Sequence, residues 1–387
     1  MSGTVRLLRI DGTLEEYRTS RKPLSVPPTV RFNSRVAFAA AHVVLDPIRT
    51  MDPIFAPVID WETTLRFREH LWSLGFRVAE AMDTSQRGMG LDWTLARELI
   101  ERSAKAAKAE GGGIASGAGT DHLDLTRSLT LADVLHAYEE QCAAVEAAGS
   151  RIILMASRAL ARVAKGPEDY VHVYSRILEQ AKEPVILHWL GPMFDPALEG
   201  YWGSSDPQAA MRVCVDLIRS HANKVDGVKI SLLDAGLEIE MRRELPNGVR
   251  MYTGDDFNYD ALILGDDKGH SDALLGIFDA IAPAAALALE ALDRSDVAQY
   301  HTLLEPTVPL SRYIFQRPTF YYKTGIVFLA WLNGFQSHFR MVNGQESARS
   351  IMHLCQLYRL ADCAGLLRDP ELAAERMRLT MALAGMA

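Results

Sequence analysis

Residues 151–157 (RIILMAS), 184–190 (PVILHWL) and 226–231 (DGVKIS) are three short apolar runs that decide the fold of this chain. Each run has the length of a buried β-strand. The segment at 208–220 (QAAMRVCVDLIRS) lies between two of them, with apolar residues at the i, i+3, i+4, i+7 spacing of an amphipathic helix. Strands that alternate with helices in this way predict βα units with parallel strands.

The same rhythm extends outward over most of the chain. Further apolar runs begin near Val36, Phe76, Gly112, Val249 and Ser271, so that eight runs start about 34 residues apart, the size of a βα unit. Eight strands that are each followed by a helix favour a closed (β/α)8 barrel, the TIM-barrel form of the α/β class, over an open doubly wound sheet. We expect this catalytic barrel to span residues 31–290.

The 387 residues exceed a standard barrel, which needs about 250 residues. Residues 1–30 are predicted to form a β-hairpin and a proline-rich linker, with Asp11-Gly12 as a two-residue turn. Residues 291–387 are predicted to form a helical extension that packs on the barrel. The helical patterns that follow the last strand cover residues 284–292, 297–315, 324–335, 345–367 and 370–384.

An enlarged loop after the fifth strand, residues 193–206 (MFDPALEGYWGSSD), contains three aromatic residues. Phe194, Tyr201 and Trp202 in a loop rich in Gly, Pro and Ser are expected to form a lid over a pocket or to contact a neighbouring subunit, with an ordinary surface loop as the alternative.

Composition excludes several classes of protein. The net charge is −8, hydrophobic residues make up 48% and charged residues 23%, which is too apolar for a disordered chain and too evenly charged for a membrane protein. No basic cluster indicates nucleic-acid binding. The turn at 117–122 (GAGTDH) lacks the glycine pattern of a dinucleotide site and the Lys-Ser/Thr of a phosphate loop, so no cofactor is predicted. Without a signal-peptide pattern, the expected location is the cytoplasm.

Lys229 is the sharpest candidate for catalysis. Strand alternation should turn Gly227, Lys229 and Ser231 into the barrel, with Val228 and Ile230 facing the helices. Burial lowers the pKa of a lysine amine, and the neutral amine can condense with a carbonyl group. The alternative is a strand-end lysine whose amine reaches solvent.

Two further positions lie at predicted strand ends, where barrel enzymes place their reacting groups. His188 ends the fifth strand and could donate or accept protons, although a core histidine bonded to the backbone is the commoner outcome. The segment at 83–86 (DTSQ) follows the second strand, and its hydroxyls and amides could hold a carboxylate.

A divalent metal site is a rival interpretation. Several His and Asp side chains fall near strand ends, although no pair has a diagnostic ligand spacing. They are His42, Asp46, Asp83, Asp121, His122, His188, Asp255 and His270.

The order of these segments resembles the Schiff-base aldolase superfamily of dihydrodipicolinate synthase and N-acetylneuraminate lyase, over about residues 36–334. It looks most like an extended branch labelled only as dihydrodipicolinate synthase-like. Thr84-Ser85 stands where that superfamily has paired hydroxyls, and residues 117–121 (GAGTD) match its glycine-rich turn. Residues 228–230 (VKI) align with its lysine strand, and residues 253–256 (TGDD) with its Gly-Asp-Asp turn.

The resemblance implies that Lys229 forms an imine with a 2-oxo acid such as pyruvate. The protonated imine then acts as an electron sink for making or breaking the adjacent C–C bond, or for loss of water. Thr84 and Ser85 would hold the carboxylate and relay protons, and Gly254 and Asp255 would contribute to substrate binding. The resemblance also implies a homo-oligomer.

Three departures from the superfamily speak against dihydrodipicolinate synthesis itself. His188 replaces the usual tyrosine of strand five, and Met193 replaces the arginine that usually follows it. Residues 156–159 (ASRA) replace a tyrosine-bearing turn. His188 is therefore the candidate acid/base, and Arg158 is the candidate for binding a substrate carboxylate.

The sequence leaves three hypotheses open. The first is a class I, lysine-dependent lyase or aldolase, or a dehydratase, acting on a 2-oxo acid or sugar-derived acid through Lys229. The second is a metal-dependent barrel enzyme that uses the strand-end His and Asp residues. The third is a barrel without catalysis that binds a small metabolite.

Overall fold

The structure, a computed structural model, describes residues 3–386. The predicted antiparallel hairpin is present as β1 (Thr4–Leu8) and β2 (Leu14–Arg18). Its connection is longer than the predicted two-residue turn, because Leu8 pairs with Leu14 and the Arg9 amide donates to the Thr13 carbonyl at 2.7 Å. Gly12 closes the loop at φ +83°, a conformation that a glycine adopts without strain.

Eight parallel strands follow and close into a barrel. Each strand lies beside its neighbours in the sequence, and the last strand pairs with the first. The (β/α)8 barrel predicted from the apolar runs is therefore confirmed. The strands are β3 (Ala37–Ala40), β4 (Arg77–Glu80), β5 (Ile114–Ala118), β6 (Arg151–Leu154), β7 (Val185–Leu190), β8 (Val225–Ser231), β9 (Arg250–Thr253) and β10 (Asp272–Leu275).

Helices connect these strands along the chain. Two helices, rather than one, join β6 to β7. The helices up to the last strand are α1 (Trp61–Ser73), α2 (Trp93–Glu110), α3 (Leu131–Ala147), α4 (Arg158–Val163), α5 (Pro167–Gln180), α6 (Pro207–Ser220), α7 (Ala235–Glu244) and α8 (Tyr259–Leu264). Aspartate side chains cap the start of α1, α2, α6 and α7. At the start of α3, the Thr130 and Asp133 side chains form a reciprocal capping box.

The predicted helical tail is also present, with three main differences. The helix predicted at 284–292 spans Phe278–Asp293 and contains Pro283. The pattern at 297–315 is interrupted by a 3-10 turn at Glu305–Thr307, and the helix expected from residue 345 begins only at Ile351, capped by Ser350. Left-handed Asn343 and Gly344 interrupt the preceding turn, which no periodicity of apolar residues reveals. The tail helices are α9 (Phe278–Asp293), α10 (Val297–Leu304), α11 (Val308–Ile314), α12 (Tyr322–Leu332), α13 (Ile351–Cys363) and α14 (Pro370–Leu383).

The chain divides into two compact units. The barrel unit comprises residues 35–41 and 77–276, and it contains all eight barrel strands together with α2 to α8. The second unit comprises residues up to Ser34, residues 42–76 and residues from Ile277 onward; it contains the hairpin, α1 and the tail helices.

Side chains fill the interior of the barrel. Phe38, Ile153, Ile186, Tyr252 and Leu274 belong to one buried cluster, and the Phe38 and Tyr252 rings meet edge to face at 5.8 Å. Residues alternate between the two faces of a strand. His188, two positions after Ile186 on β7, and Lys229, two positions after Gly227 on β8, therefore also face the interior of the barrel. Among the described residues, no helix is long and apolar enough to cross a membrane.

Candidate active site

Lys229 on β8 points into the barrel, as strand alternation predicts. Gly227, on the same face, lies beneath the Tyr252 ring, and a Cβ added to it would be 2.6 Å from that ring. A Cβ added to Gly254 would be 2.7 Å from Lys229 Cε and 2.2 Å from Ser231 Oγ. Only glycine at position 254 leaves room for the lysine stem, and Lys229 is 8% exposed.

The amine of Lys229 is electrostatically perturbed. Burial lowers the pKa of Lys229 from its ordinary 10.5 to about 8, and the negative charges of Asp256 and Asp83 oppose the shift. A pKa of 8 leaves about one amine in ten neutral at pH 7, against about one in three thousand for an unperturbed lysine. A fraction of the Lys229 amines is therefore neutral near pH 7, which is the form of an amine that can act as a nucleophile.

His188 lies beside the lysine on the neighbouring strand. In the parallel pairing of β7 with β8, His188 is in register with Lys229. Its Nε2 is 3.4 Å from Ser231 Oγ. Burial and, secondarily, the positive charge of Lys229 lower the pKa of His188 well below 6.5, so the imidazole is neutral at neutral pH and can accept a proton.

The turn after β4 carries the paired hydroxyls. Residues Asp83–Ser85 form a 3-10 turn in which Thr84 and Ser85 are buried. Ser85 Oγ donates to the Met82 carbonyl at 2.7 Å, so this hydroxyl also shapes the turn. The charge of Asp83 acts on Lys229, so the carboxylate of this turn lies near the amine.

In the turn after β9, the two adjacent aspartates, Asp255 and Asp256, have different surroundings. The Asp255 carboxylate accepts hydrogen bonds from the Phe257 amide at 2.8 Å and from Asn258, within its own turn. Asp256, rather than Asp255, exerts the larger charge effect on Lys229. The sequence shows two adjacent aspartates here, but β9 ends at Thr253, so alternation no longer tells which of the two faces the barrel.

Glu238 on α7 was not indicated by the sequence. It is fully buried and accepts hydrogen bonds from Thr253 Oγ1 at 3.0 Å and from Ser271 Oγ at 2.7 Å. Burial raises the pKa of Glu238 to about 8, and these two hydrogen bonds oppose the shift. This largely protonated carboxyl ties α7 to the end of β9, directly before the Gly254 turn.

Arg158 is engaged by a carboxylate of the protein. Its Nε donates to Asp195, and its side chain is 43% exposed. A Cβ added to Gly88 would lie 3.4 Å from the Arg158 guanidinium, which places it beside the loop after β4. To bind a substrate carboxylate, this arginine would have to exchange its partner.

A second arginine, Arg87, connects the loop after β4 to the end of β5 and the turn that follows it. Arg87 is buried and makes a bidentate ion pair with Asp121, with Nη2–Oδ1 and Nε–Oδ2 distances of 2.7 and 3.0 Å. It also donates to the Gly117 carbonyl at 2.6 Å. The glycine-rich turn is thereby fixed to the loop after β4. Sequence reasoning missed Arg87 because its partners lie 30 and 34 residues away.

The expectation of an aromatic lid at 193–206 is wrong. Tyr201 and Trp202 are 2% and 0% exposed, and both pack against Tyr170 and Tyr174 of α5. The Tyr201 hydroxyl accepts a hydrogen bond from the Ser157 amide at 3.0 Å. The loop folds back into the core of its own unit because these rings bury more apolar surface there than a solvent-exposed lid would.

The residues named for a metal site do not form a ligand set. Among residues 3–386, no three His, Cys, Asp or Glu side chains lie close enough together to hold a metal ion. Asp121 is paired with Arg87, and the Asp255 carboxylate serves its own turn.

The fold is similar to that of dihydrodipicolinate synthases of known structure. The enzyme from Aquifex aeolicus matches with a TM-score of 0.64 and 13% identity, over 86% of this chain and 99% of that chain. The enzyme from Thermotoga maritima matches with a TM-score of 0.63 and 14% identity over the same shares. The enzyme from Bacteroides thetaiotaomicron gives 0.59 and 15%, again over 86% and 99%. At these identities the likeness establishes the barrel fold.

A search of the curated proteins finds no match to this sequence. A family model described as "Protein of unknown function (DUF993)" matches residues 5–386. This match covers nearly the whole chain, both the barrel unit and the second unit. The chain belongs to the DUF993 family.

Proposed function

We propose that the protein is a class I lyase or aldolase, or a dehydratase, that forms an imine between Lys229 and a 2-oxo acid or a sugar-derived oxo acid. The observation that carries this proposal is the buried amine of Lys229 inside the barrel, with a pKa of about 8 and with His188 in register on the next strand. We further propose that the chain is an extended relative of the dihydrodipicolinate synthase superfamily, whose fold it shares.

In the proposed reaction, the neutral Nζ of Lys229 attacks the carbonyl carbon of the oxo acid. The carbinolamine that results loses its hydroxyl group as water, which requires one proton, and leaves a protonated imine. The imine nitrogen then accepts the electron pair of a bond at the adjacent carbon, as a C–H or C–C bond breaks. Hydrolysis of the imine returns the free lysine.

His188 is the proposed acid and base. Its low pKa keeps it neutral, so it can take the proton released by the adjacent carbon and return it in a later step. We expect Ser231, whose Oγ is 3.4 Å from His188 Nε2, to orient the imidazole.

Thr84 and Ser85 are the proposed binding residues for the substrate carboxylate, because they belong to the same turn as Asp83, whose charge acts on Lys229. Gly254 contributes space beside the lysine, and Asp255 holds the turn that provides this space. Arg158 would take the carboxylate after releasing Asp195.

Deuterium exchange tests this function without knowledge of the natural substrate. An enamine formed from the imine exchanges the C3 protons of pyruvate, so the methyl proton signal should decay in D2O with the enzyme present. We expect this exchange with at least one of pyruvate, 2-oxobutyrate and 2-oxoglutarate, and its loss in Lys229→Met. The control is Lys224→Met, which removes a lysine that only bonds the Ala181 carbonyl. Exchange with none of these acids, or unchanged exchange in Lys229→Met, would refute the proposal.

A further inference from the structure

The second unit contains a cavity of about 590 Å³ that the proposed reaction does not use. It is lined by residues of α1, by the segment after α12, by Arg368 just before α14 and by Arg376 within α14. Its charged and aromatic lining consists of Arg66, Phe67, His70, Phe335, Arg368 and Arg376. Its volume is within the range of cavities that hold small molecules.

All the permanently charged side chains in the lining of this cavity are positive. Three guanidinium groups contribute to it, and none of the described lining residues is an acid. Arg66 has only a long contact with Glu62, at 3.8 Å, and donates to Thr63 at 2.9 Å. Unbalanced guanidinium groups around a concave surface attract anions and are suited to bidentate binding of carboxylate or phosphate oxygens.

Two of the arginines are held in place by aromatic rings. The Arg368 guanidinium lies over the Phe335 ring at 5.3 Å, and Arg376 lies over Trp331 at 5.7 Å. Arg376 also donates to the Gln336 carbonyl at 3.0 Å. Stacking on a ring fixes the plane of a guanidinium and leaves N–H groups at its edge for a ligand.

The positive charge of Arg368 changes the protonation of the neighbouring His70. Burial and the charge of Arg368 lower the pKa of His70 to about 4, although Asp279 opposes the shift. A neutral imidazole therefore borders the cavity, and it can hydrogen-bond to an anionic ligand. Asp279 itself is bonded to His42, with Oδ2 and Nδ1 2.7 Å apart.

A mainly apolar cavity of about 290 Å³ adjoins the first one within the same unit, and the one acid in its lining, Asp279, is paired with His42. The two share His70, Phe335 and Arg368, and the second is also lined by Val26, Pro27 and Leu366. A ligand with a charged group in the first cavity could therefore extend an apolar body into the second.

We propose that these adjoining cavities form a binding site for a small organic dianion, with a phosphate-like head group on Arg66, Arg368 and Arg376 and a flat apolar body beside Phe335. Two guanidiniums without a close carboxylate partner, Arg66 and Arg368, match a doubly charged head group. The site shares no residue with the proposed Lys229 chemistry, so it would survive the failure of that proposal.

Isothermal titration calorimetry with phenyl phosphate tests this site. Inorganic phosphate measures the head group alone, and citrate shows whether an anion without a phosphate group or a ring also binds. Arg66→Glu is the main variant, because Arg66 is exposed and its reversal leaves the core intact. Arg97→Glu is the matched control: both arginines are about equally exposed, at 61% and 60%, and each has a helical glutamate partner four residues away. Arg368→Gln is the second variant.

We expect the wild-type protein and Arg97→Glu to bind phenyl phosphate alike and more tightly than inorganic phosphate. Arg66→Glu and Arg368→Gln should each raise the dissociation constant at least tenfold. The proposal is overturned by absence of binding to all three anions, by unchanged binding in both variants, or by equal losses in Arg66→Glu and Arg97→Glu, which would indicate attraction by overall charge alone.

Discussion

At the scale of the residue, the buried position of Lys229 has a consequence for stability. Its pKa is about 8 in the folded protein and about 10.5 when the amine is in water. The unfolded chain therefore binds an extra proton between pH 8 and 10.5, so the amine lowers stability below pH 8 and this penalty is relieved as the pH rises to 10.5. A residue retained for chemistry can carry such a penalty.

We expect Lys229→Met to raise the free energy of unfolding at pH 7, by at most about 3 kcal/mol, because methionine fills the same space without a charge. Urea unfolding at pH 7 and pH 10 measures the effect, and the gain should shrink at pH 10. A less stable variant at pH 7 would show that Asp83 and Asp256 make the ammonium group a net stabilising feature.

The second prediction at this scale concerns His188. Replacing it in His188→Gln removes the proton acceptor but not the amine, so the exchange of pyruvate protons should slow by about a hundredfold or more, the usual contribution of a general base. Imine formation at Lys229, followed by trapping and mass analysis, should persist.

His221→Gln provides the control, since His221 lies outside the barrel interior and contacts Ser175 at 2.9 Å. Equal exchange rates in wild type and His188→Gln would remove His188 from the acid/base role.

At the scale of the element, the junction between α7 and β9 responds to pH through Glu238. Its pKa is about 8 in the folded protein and 4.5 in water, so between these values the folded state keeps a proton that the unfolded chain releases. The contribution of the protonated carboxyl is fully present below pH 4.5 and is lost as the pH rises through 8.

We expect Glu238→Gln, which cannot ionise, to remove a decline in stability of up to about 5 kcal/mol between pH 4.5 and 8. Urea unfolding at pH 5, 6, 7 and 8 follows this decline in both proteins. Glu240→Gln, an exposed change on the same helix, should retain it. An identical pH slope in wild type and Glu238→Gln would contradict the buried, protonated carboxyl.

Elements whose apolar patterns are local were predictable from sequence. Alternation on β8 correctly turned Lys229 inward, and the helical spacing at 208–220 predicts α6 (Pro207–Ser220) to within one residue. Features that depend on distant partners were not predictable. Arg158 meets Asp195, 37 residues away, and the loop aromatic Trp202 meets Tyr174 of α5. Such contacts are set by tertiary packing, which leaves no periodic trace in the sequence.

At the scale of the whole molecule, eight apolar runs predict the barrel, but no sequence pattern predicts the exposed apolar side chains of the loop between β3 and α1. This loop exposes four large apolar side chains: Ile48, Met51, Ile54 and Phe55 are 92%, 99%, 52% and 86% exposed. Grouped exposed apolar side chains are typical of contact surfaces between protein chains.

We therefore expect the protein to form the homo-oligomer that the superfamily resemblance implies, with this loop in the interface. Light scattering should give a multiple of the chain mass for the wild type and a smaller species for Met51→Asp. Leu379→Asp, at an exposed site on α14, should leave the mass unchanged. A monomeric wild type at micromolar concentration would contradict this expectation.

The central claim is an imine at Lys229, and borohydride trapping with peptide mapping tests it most directly. After incubation with pyruvate and borohydride, the peptide that contains residue 229 should gain about 72 Da, the mass of a reduced pyruvate imine. The same peptide should stay unmodified in Lys229→Met. Absence of an adduct with every 2-oxo acid of the panel, or an adduct that persists in Lys229→Met, would contradict the account.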